Sequence, residues 1–578
     1  MSRTVRYASL GSAAALLAAI FLVPTATPHA QTPSPCASLL GLALPDATIV
    51  SAADITAPYT TSTAGGSSAA ITVPGPFPFC RVQAVLSPTS DSAIQAEVWI
   101  PRAERWNGKF VGVGNGALTG SIWHTSMVRP LQAGYAVAGS NLGHVGGAST
   151  FAVGHPERVV DYAHRADHVV SVFAKAVVNA YHGHGPARSY FHGCSNGGHQ
   201  ALMEAQRYPD DYDGIIAGAP WNHWTHQIIE FISRTIALES FDSAKRALVT
   251  AAVIEQCGGR DGGLKSDGYL NTPLTCQFKP KSLLCKNGNG PDCLTADEVA
   301  ALERIYEGPV NSVTGRSLFP GFDPGAETWS GLGAFVNSLF RNMVFEDPAS
   351  TWDYHSFDFN NDVTMFDNKL AALINSTNPD VSAFRDRGGK LIMWHGWADS
   401  LLEARSTLHY YNSVVAITGA GLSLSDLQDL SGNNGAVHAK RRQRLEATQE
   451  WFRLYMTPGV AHCGGGPGPS SSFAYILPQG AGPNHPDYDA LAALDRWVEN
   501  GVAPGALIAS LFDASGNADK TRPLCVYPQV LHYNGGDPAR QASFSCVNDW
   551  SGFNRDFTHE LHNIISNVKA GNLHNIPN

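Results

Sequence analysis

Apolar and polar residues alternate along the first third of the chain in a pattern that predicts strands and helices in turn. Short apolar runs at residues 96–100, 109–113 and 135–139 predict buried strands. The longer stretch at 158–181 has apolar residues at helical spacing and predicts an amphipathic helix. Because such alternation is typical of helices packed on both faces of a parallel sheet, we predict a doubly wound α/β sheet for residues 31–220.

The pattern changes twice farther along the chain. Residues 221–385 contain longer polar and glycine-rich stretches, four cysteines and scattered aromatic residues, which favours a lid inserted into the sheet domain. The alternation of strands and helices resumes in residues 386–550, where a helix is predicted at 488–500. Residues 551–578 form a C-terminal extension to which the pattern assigns no role. A chain of 578 residues suits one large domain with an insertion, or two domains.

The N-terminus combines charge and hydrophobicity as a secretory signal peptide does. Arg3 and Arg6 precede an apolar stretch at 10–23, and small residues lead to Ala30, where we predict cleavage. A membrane anchor is the alternative, but the apolar stretch is shorter than the roughly 20 residues that a span requires. We therefore predict a signal peptide over residues 1–30 and an exported protein, either secreted or periplasmic, that does not stay on the membrane.

Charge and cysteine content narrow the classes of partner and of cysteine chemistry that the chain can have. A net charge of -10, with only 15% charged residues and no cluster of lysine or arginine, argues against nucleic acid as a partner. Ten cysteines in an exported protein favour five disulfides over reactive thiols. A zinc site is the competing interpretation, but no C-x-x-C motif or close histidine spacing supports it.

A candidate nucleophile lies in a turn flanked by glycines. A strand predicted at 188–192 runs into residues 193–197, which read G-x-S-x-G, and a helix is predicted at 198–208. A sharp turn from strand to helix exposes the hydroxyl of Ser195 and directs the N–H groups of the helix toward negative charge that develops there. An ordinary glycine turn is the alternative, because the motif is short.

An acid and a base follow in the order that α/β-hydrolases require. Asp399 comes after a strand predicted at 389–396, and His462 comes after another predicted at 452–456. Parallel strands place their carboxyl ends at one edge of a sheet, so these side chains are expected to meet Ser195 there. The order predicts an α/β-hydrolase fold with a Ser–His–Asp triad.

Each partner has an alternative. Asp399 could cap a helix that begins near Leu401, and His395 is a rival base, although its place inside a strand favours a packing role. Cys194 and Cys463 directly adjoin the candidate serine and histidine. A bond between these two cysteines would hold the serine loop against the histidine loop.

Cys194-Ser195, Asp399 and His462-Cys463 resemble the CS-D-HC pattern of the tannase and feruloyl esterase family, which includes terephthalate half-ester hydrolases. The resemblance covers roughly residues 36–550 and implies a serine carboxylic ester hydrolase with an α/β-hydrolase fold and a large inserted lid domain. Further matching stretches are 193–198, 212–220, 458–467 and 522–528. The resemblance also implies five disulfides, namely Cys36–Cys80, Cys194–Cys463, Cys257–Cys276, Cys285–Cys293 and Cys525–Cys546.

An esterase of this type needs N–H donors for the oxyanion, each worth about 3–4 kcal/mol of barrier. The elbow geometry assigns the first donor to the N–H of Asn196. The second is expected from the glycine-rich loop at 112–120, where the family carries a similar run, and we select Gly116. A plain glycine turn is the alternative for this loop.

The resemblance further implies a structural calcium loop in the lid, whereas the family's chemistry needs no cofactor. Here Gly258 replaces the first aspartate of the family's loop, and about two residues are inserted before Asp267. Asp261 and Asp267 remain candidate ligands, with backbone oxygens near Gly263 and Tyr269, because calcium prefers hard oxygen ligands. Asp-Gly turns that bind no metal are the alternative.

The implied substrate is a small aromatic ester of the kind found in plant cell walls. The aromatic-rich lid and its segment 340–347 look like those of feruloyl esterases, which favours feruloyl or other hydroxycinnamoyl esters. Galloyl esters and terephthalate half-esters are the alternatives, and Arg341 is the candidate partner for the free carboxylate of a half-ester. Outside this class, a secreted serine peptidase and a non-catalytic binding protein remain open.

Overall fold

The structure is a computed structural model. It describes residues 35–56, 58–61, 72–73, 77–286, 288–418, 423–473, 485–513, 515 and 517–569. The predicted signal peptide over residues 1–30 lies outside this part of the chain. Within the described part, no helix is both long enough and apolar enough to cross a membrane.

A nine-stranded sheet forms the centre of the described chain. Its strands are β1 (Ala47–Ile55), β2 (Phe79–Leu86), β3 (Ile94–Pro101), β4 (Lys109–Val113), β5 (Ala136–Ser140), β6 (Arg188–Cys194), β7 (Gly214–Gly218), β8 (Lys390–Gly396) and β9 (Phe452–Thr457). They lie in the order β1-β2-β3-β5-β4-β6-β7-β8-β9. The ladders that join β1, β2, β3 and β5 are antiparallel, and every ladder from β5 through β4 to β9 is parallel. The predicted mainly parallel α/β sheet is therefore confirmed.

Helices cover both faces of this sheet. The predicted helix at 158–181 is interrupted, since a short helix at Pro156–Val160 and a π-helical turn at Asp161–Arg165 precede its main part. The described helices of seven or more residues are α1 (His124–Gln132), α2 (Ala166–His182), α3 (Asn196–Arg207), α4 (Trp224–Leu238), α5 (Arg246–Cys257), α6 (Ala296–Glu307), α7 (Gly333–Leu339), α8 (Asp362–Ile374), α9 (Ala404–Ile417), α10 (Gly435–Gln449), α11 (Ala490–Asn500) and α12 (Trp550–Lys569).

The sheet is buried on both faces because neighbouring residues of its central strands enter different apolar clusters. Phe110 and Phe191 pack with residues of α2, α3 and α9, whereas Val111 and Tyr190 pack with residues of α1 and α11. This explains why the central strands read as continuous apolar runs rather than as alternating patterns.

The segment predicted as a lid joins β7 to β8. It contributes helices α4–α8 and, within the described residues, no strand of the central sheet. Two hairpins follow the sheet, β10 (Leu507–Phe512) with β11 (Ala518–Leu524) and β12 (Gln529–Tyr533) with β13 (Phe544–Asn548). Helix α12 lies against α9 and buries an apolar face made of Phe553, Phe557, Leu561 and Ile564.

Five disulfides connect the described cysteines, and all five pairs are those implied by the resemblance. One of them, Cys194–Cys463, joins the end of β6 to the loop after β9 across 269 residues of sequence. The other four close loops of 8 to 44 residues within one region of the fold. The long-range disulfide is therefore the one that connects the regions of the candidate serine and histidine.

Candidate active site

Ser195 occupies a strained turn between β6 and α3. Its backbone has φ 65° and ψ -122°, a left-handed conformation that side chains rarely adopt and that often marks functional sites. A Cβ atom at Gly193 would lie 2.2 Å from the carbonyl oxygen of Gly197, so the turn requires glycine there. Helix α3 begins at Asn196, two residues earlier than predicted, and its N-terminus therefore lies directly at the serine.

Asp399 and His462 meet after β8 and β9. The Nδ1 atom of His462 lies 2.7 Å from Oδ2 of the Asp399 carboxylate. Oδ1 of Asp399 accepts the N–H groups of Leu401 and Leu402 at 2.8 and 3.0 Å. Asp399 therefore caps the turn before α9 and also faces the imidazole of His462, so the two interpretations considered from the sequence do not exclude each other.

The Asp399 carboxyl is buried but stays ionised. Burial alone would raise its pKa, yet the hydrogen bonds and the electrostatic attraction of His462 and His395 outweigh burial and hold the pKa well below its usual range. A carboxylate accepts hydrogen bonds and donates none, so the proton of the His462 ring lies on Nδ1. The Nε2 atom of His462 is thereby left as the basic nitrogen.

The Cys194–Cys463 disulfide brings the serine and histidine loops together. The Cα atoms of the two cysteines lie 5.8 Å apart, and each cysteine is the direct neighbour of Ser195 or His462. Sγ of Cys463 lies 3.7 Å from Nε2 of His462. The basic nitrogen therefore lies beside the disulfide that adjoins Ser195.

The glycine-rich loop packs directly against the serine elbow. A Cβ atom at Gly197 would lie 3.0 Å from the carbonyl oxygen of Asn115. Asn115 and Gln200 exchange two hydrogen bonds, from Asn115 N to Oε1 at 3.1 Å and from Gln200 Nε2 to Oδ1 at 2.7 Å. The structure thus places the loop that carries Gly116 beside the N-terminus of α3, where Asn196 lies.

Tyr162 connects the same two segments and was not predicted from the sequence. Its hydroxyl lies 3.0 Å from the carbonyl oxygen of Ala117 and 3.2 Å from Oδ1 of Asn196. Tyr162 belongs to the π-helical turn before α2, a feature that is often found at functional sites. Nothing in the sequence distinguishes this turn from the amphipathic helix around it.

The lid contacts the loop that carries Asp399 through a buried arginine. Nη1 of Arg234, in α4, donates to the carbonyl oxygen of Ser400 at 2.7 Å. Glu230, one turn earlier on the same helix, lies 3.3 Å from Nε of Arg234. Helix α4 therefore supports the loop that carries Asp399 by a charge-assisted hydrogen bond.

The candidate calcium ligands are engaged by other partners. Asp261 accepts the backbone N–H groups of Gly263, Asn271 and Thr272. The carboxylate of Asp267 pairs with Arg522 at 2.9 Å and with Lys520 at 3.1 Å. Two cations on Asp267 occupy the oxygens that a metal would need, so these residues do not fit a calcium site. Among the described residues, no group of three or more His, Cys, Asp or Glu side chains could hold a metal ion.

We expect the midpoint of thermal unfolding to be the same in calcium chloride and in a chelator. Protein cations already neutralise Asp267, so added calcium has no unpaired carboxylate to bind in this loop. Differential scanning fluorimetry of the purified protein, first stripped of metal with chelator, measures this directly. A midpoint that rises with calcium but not with magnesium would contradict this assignment of the loop.

The sheet order, the strained serine after β6 and the positions of Asp399 and His462 after β8 and β9 are those of an α/β-hydrolase. A model of the family described as tannase and feruloyl esterase matches residues 80–547. The chain therefore belongs to the tannase and feruloyl esterase family, and it is a carboxylic ester hydrolase of that type. The fold and the family resemblance expected from the sequence are both confirmed.

Similar proteins agree with this assignment. An uncharacterised esterase of Xanthomonas campestris is 37% identical over 553 residues, which cover 90% of this chain and 92% of that protein. A probable feruloyl esterase B-2 of Aspergillus flavus is 29% identical and covers 79% of this chain and 84% of its own length. The crystal structure of feruloyl esterase B from Aspergillus oryzae superposes with a TM-score of 0.78 at 27% identity, covering 89% and 99% of the two chains.

Proposed function

We propose that this protein hydrolyses esters of phenolic acids, feruloyl esters foremost, through a Ser195–His462–Asp399 triad. The observation that carries the proposal is the 2.7 Å contact between His462 and Asp399 in a loop bonded through Cys463 to the residue before Ser195. Nucleophile, base and acid in this arrangement are what acyl transfer requires.

In the first half of the reaction, Nε2 of His462 takes the proton of the Ser195 hydroxyl as Oγ attacks the ester carbonyl. The N–H groups of Asn196 and Gly116 hold the oxyanion of the tetrahedral intermediate. The intermediate collapses, the C–O bond to the alcohol breaks, and His462 returns the proton to the leaving oxygen. The acyl group then remains on Ser195.

In the second half, His462 takes a proton from water, and the hydroxide attacks the acyl carbonyl. The bond to Oγ breaks, Ser195 regains its proton and the acid leaves. Asp399 stays ionised throughout, holds the imidazole in the productive tautomer and stabilises its charged form. No metal or organic cofactor enters the proposed reaction.

A cluster of aromatic side chains includes Trp221, whose backbone contacts the serine, and supports an aromatic acyl group. The backbone N–H of Trp221 donates to the carbonyl oxygen of Ser195 at 3.1 Å. The ring of Trp221 lies 5.8 Å from that of Phe231 and 6.3 Å from that of Phe335, which belongs to the lid helix α7. We assign this cluster to one wall of the acyl site, because flat rings favour stacking partners of this kind.

Arg341 is engaged within the lid, which favours feruloyl over terephthalate half-esters. Its Nε and Nη2 atoms both donate to the carbonyl oxygen of Trp352, at 2.9 and 2.7 Å. The ring of Trp352 stacks on Phe340 at 4.1 Å. We therefore assign Arg341 to bracing the lid rather than to binding a free carboxylate.

We also propose that the protein is exported and acts in the periplasm or outside the cell. Arg3, Arg6 and the apolar stretch at 10–23 support a signal peptide. Five disulfides support an oxidising compartment. Its substrates would then be small aromatic esters released from plant cell walls.

A panel of four substrates tests the proposed specificity. Methyl ferulate, methyl gallate, mono(2-hydroxyethyl) terephthalate and a peptide anilide are supplied to the purified protein with and without chelator. We expect the highest kcat/KM for methyl ferulate and no effect of the chelator. Preference for the gallate or the half-ester would contradict the feruloyl assignment, and preference for the anilide would indicate a peptidase. Absence of turnover and of burst acylation by an activated ester would indicate a binding protein.

Phe335→Ala is expected to raise KM for methyl ferulate by roughly tenfold, because it removes one stacking face of the acyl site. The half-buried ring belongs to the lid, so the sheet and the triad remain intact. Phenyl acetate provides the comparison, since its acyl group is too small to reach the aromatic wall. Equal changes in KM for both esters would contradict the assignment of Phe335 to the acyl site.

A further inference from the structure

A second imidazole contacts the carboxylate oxygen that faces His462. His395, in β8, is fully buried, and its Nε2 atom lies 3.1 Å from Oδ2 of Asp399. The same nitrogen lies 3.3 Å from the carbonyl oxygen of Leu402. Nδ1 of His395 lies 2.6 Å from the hydroxyl oxygen of Thr407, in the first turn of α9. Both ring nitrogens are thereby engaged, so His395 is not a free base.

The partners of His395 define its tautomer. A carboxylate and a backbone carbonyl only accept hydrogen bonds, so Nε2 carries a proton and donates it to Asp399 and Leu402. With Nε2 protonated, Nδ1 pairs with the Thr407 hydroxyl. This arrangement holds the ring between β8 and α9 and aims one N–H group at Asp399.

Both oxygens of the Asp399 carboxylate consequently have hydrogen-bond partners. Two backbone N–H groups hold Oδ1, and two imidazoles share Oδ2. The titratable groups that act on this carboxyl are His462 and His395. In a buried site such hydrogen bonds are strong, and each one withdraws negative charge from the bond to His462.

We propose that His395 is a positioning residue that fixes the orientation of Asp399 and weakens the attraction between the Asp399 carboxylate and the proton on the His462 ring. This inference rests on the proposed triad. Without the His395 donor, only the two backbone N–H groups on Oδ1 orient Asp399 apart from His462, and Oδ2 directs more of its negative charge at the His462 ring. Imidazolium at His462 is then favoured, so the base loses its proton only at higher pH.

The test compares His395→Leu with His395→Gln, using methyl ferulate as substrate. Leucine removes both polar contacts, whereas the glutamine amide supplies a donor for Asp399 and an acceptor for Thr407. We expect His395→Leu to lower kcat by roughly tenfold to hundredfold at little-changed KM, because Asp399 and His462 lose their alignment. The acid limb of kcat/KM should move to higher pH. His395→Gln should restore most of kcat and the original pH profile.

Thr407→Val provides a second test that keeps the histidine, should His395→Leu not fold. It is expected to lower kcat by a smaller factor at unchanged KM, and Thr407→Ser should behave as wild type. Asp399→Ala, measured alongside, separates this inference from the triad itself. If Asp399→Ala is inactive while the folded His395 or Thr407 variants keep wild-type kcat and pH profile, the positioning role is refuted. If Asp399→Ala keeps full activity, the triad fails and the role of His395 fails with it.

Discussion

Ser195→Ala should lower kcat for methyl ferulate by about 10⁴-fold or more, with little change in KM or in folding. The substitution removes the atom that forms the acyl-enzyme, and only the oxyanion donors and substrate binding then remain to accelerate hydrolysis. Progress curves at high enzyme concentration measure the residual rate, and circular dichroism checks the fold.

Ser189→Ala is the matched control, because Ser189 is a buried serine in β6, the strand that leads to Ser195. It should keep the wild-type kcat, since its hydroxyl has no part in the proposed reaction. A Ser195→Ala enzyme that retains more than a small fraction of activity would show that another group is the nucleophile.

The double variant Cys194→Ala/Cys463→Ala is expected to fold but to turn over roughly 100-fold more slowly than wild type. The disulfide holds the loops of Ser195 and His462 at a fixed separation, and a misplacement of about 1 Å can cost about this factor. The loss should appear in kcat, because the aromatic acyl site proposed above consists of other segments. Kinetics should be measured well below the unfolding temperature, since removing a cross-link over 269 residues also lowers stability.

Cys285→Ala/Cys293→Ala is the control for the loss of a disulfide as such. That pair closes a loop of 8 residues in the lid region, away from both site loops in the sequence. Its kcat should equal that of wild type. Wild-type kcat in the Cys194→Ala/Cys463→Ala enzyme would refute the role assigned to the site disulfide, and an equal loss in both double variants would indicate a general effect on folding.

The sheet and the positions of the candidate site residues after its strands were predictable because they depend on local patterns. The run at 109–113 is apolar after Lys109 and coincides with β4, since a strand buried on both faces needs no alternation. The elbow glycines and the order of Ser195, Asp399 and His462 follow from how a parallel sheet aligns the ends of its strands. The cysteines beside Ser195 and His462 marked the segments that the disulfide joins.

Other features depend on contacts that no local pattern encodes. The pair formed by Asp267 and Arg522 spans 255 residues of sequence. It engages the carboxylate that the loop sequence suggests as a calcium ligand. His395 was interpreted as a packing residue because its strand position is plain from the sequence, whereas its contact with Asp399 depends on the turn between them. Tyr162, whose hydroxyl contacts Asn196 at the serine elbow, lies in a π-helical turn that interrupts its helix.

Covalent trapping of the nucleophile tests the central claim most directly. The purified protein is incubated with a p-nitrophenyl phosphonate, whose phosphorus is attacked by the activated hydroxyl as p-nitrophenolate leaves. Intact mass and peptide mapping should show one phosphonyl group per chain, located on Ser195, and none in the Ser195→Ala variant. The absence of an adduct on the active enzyme, or an adduct on a different residue, would contradict the account.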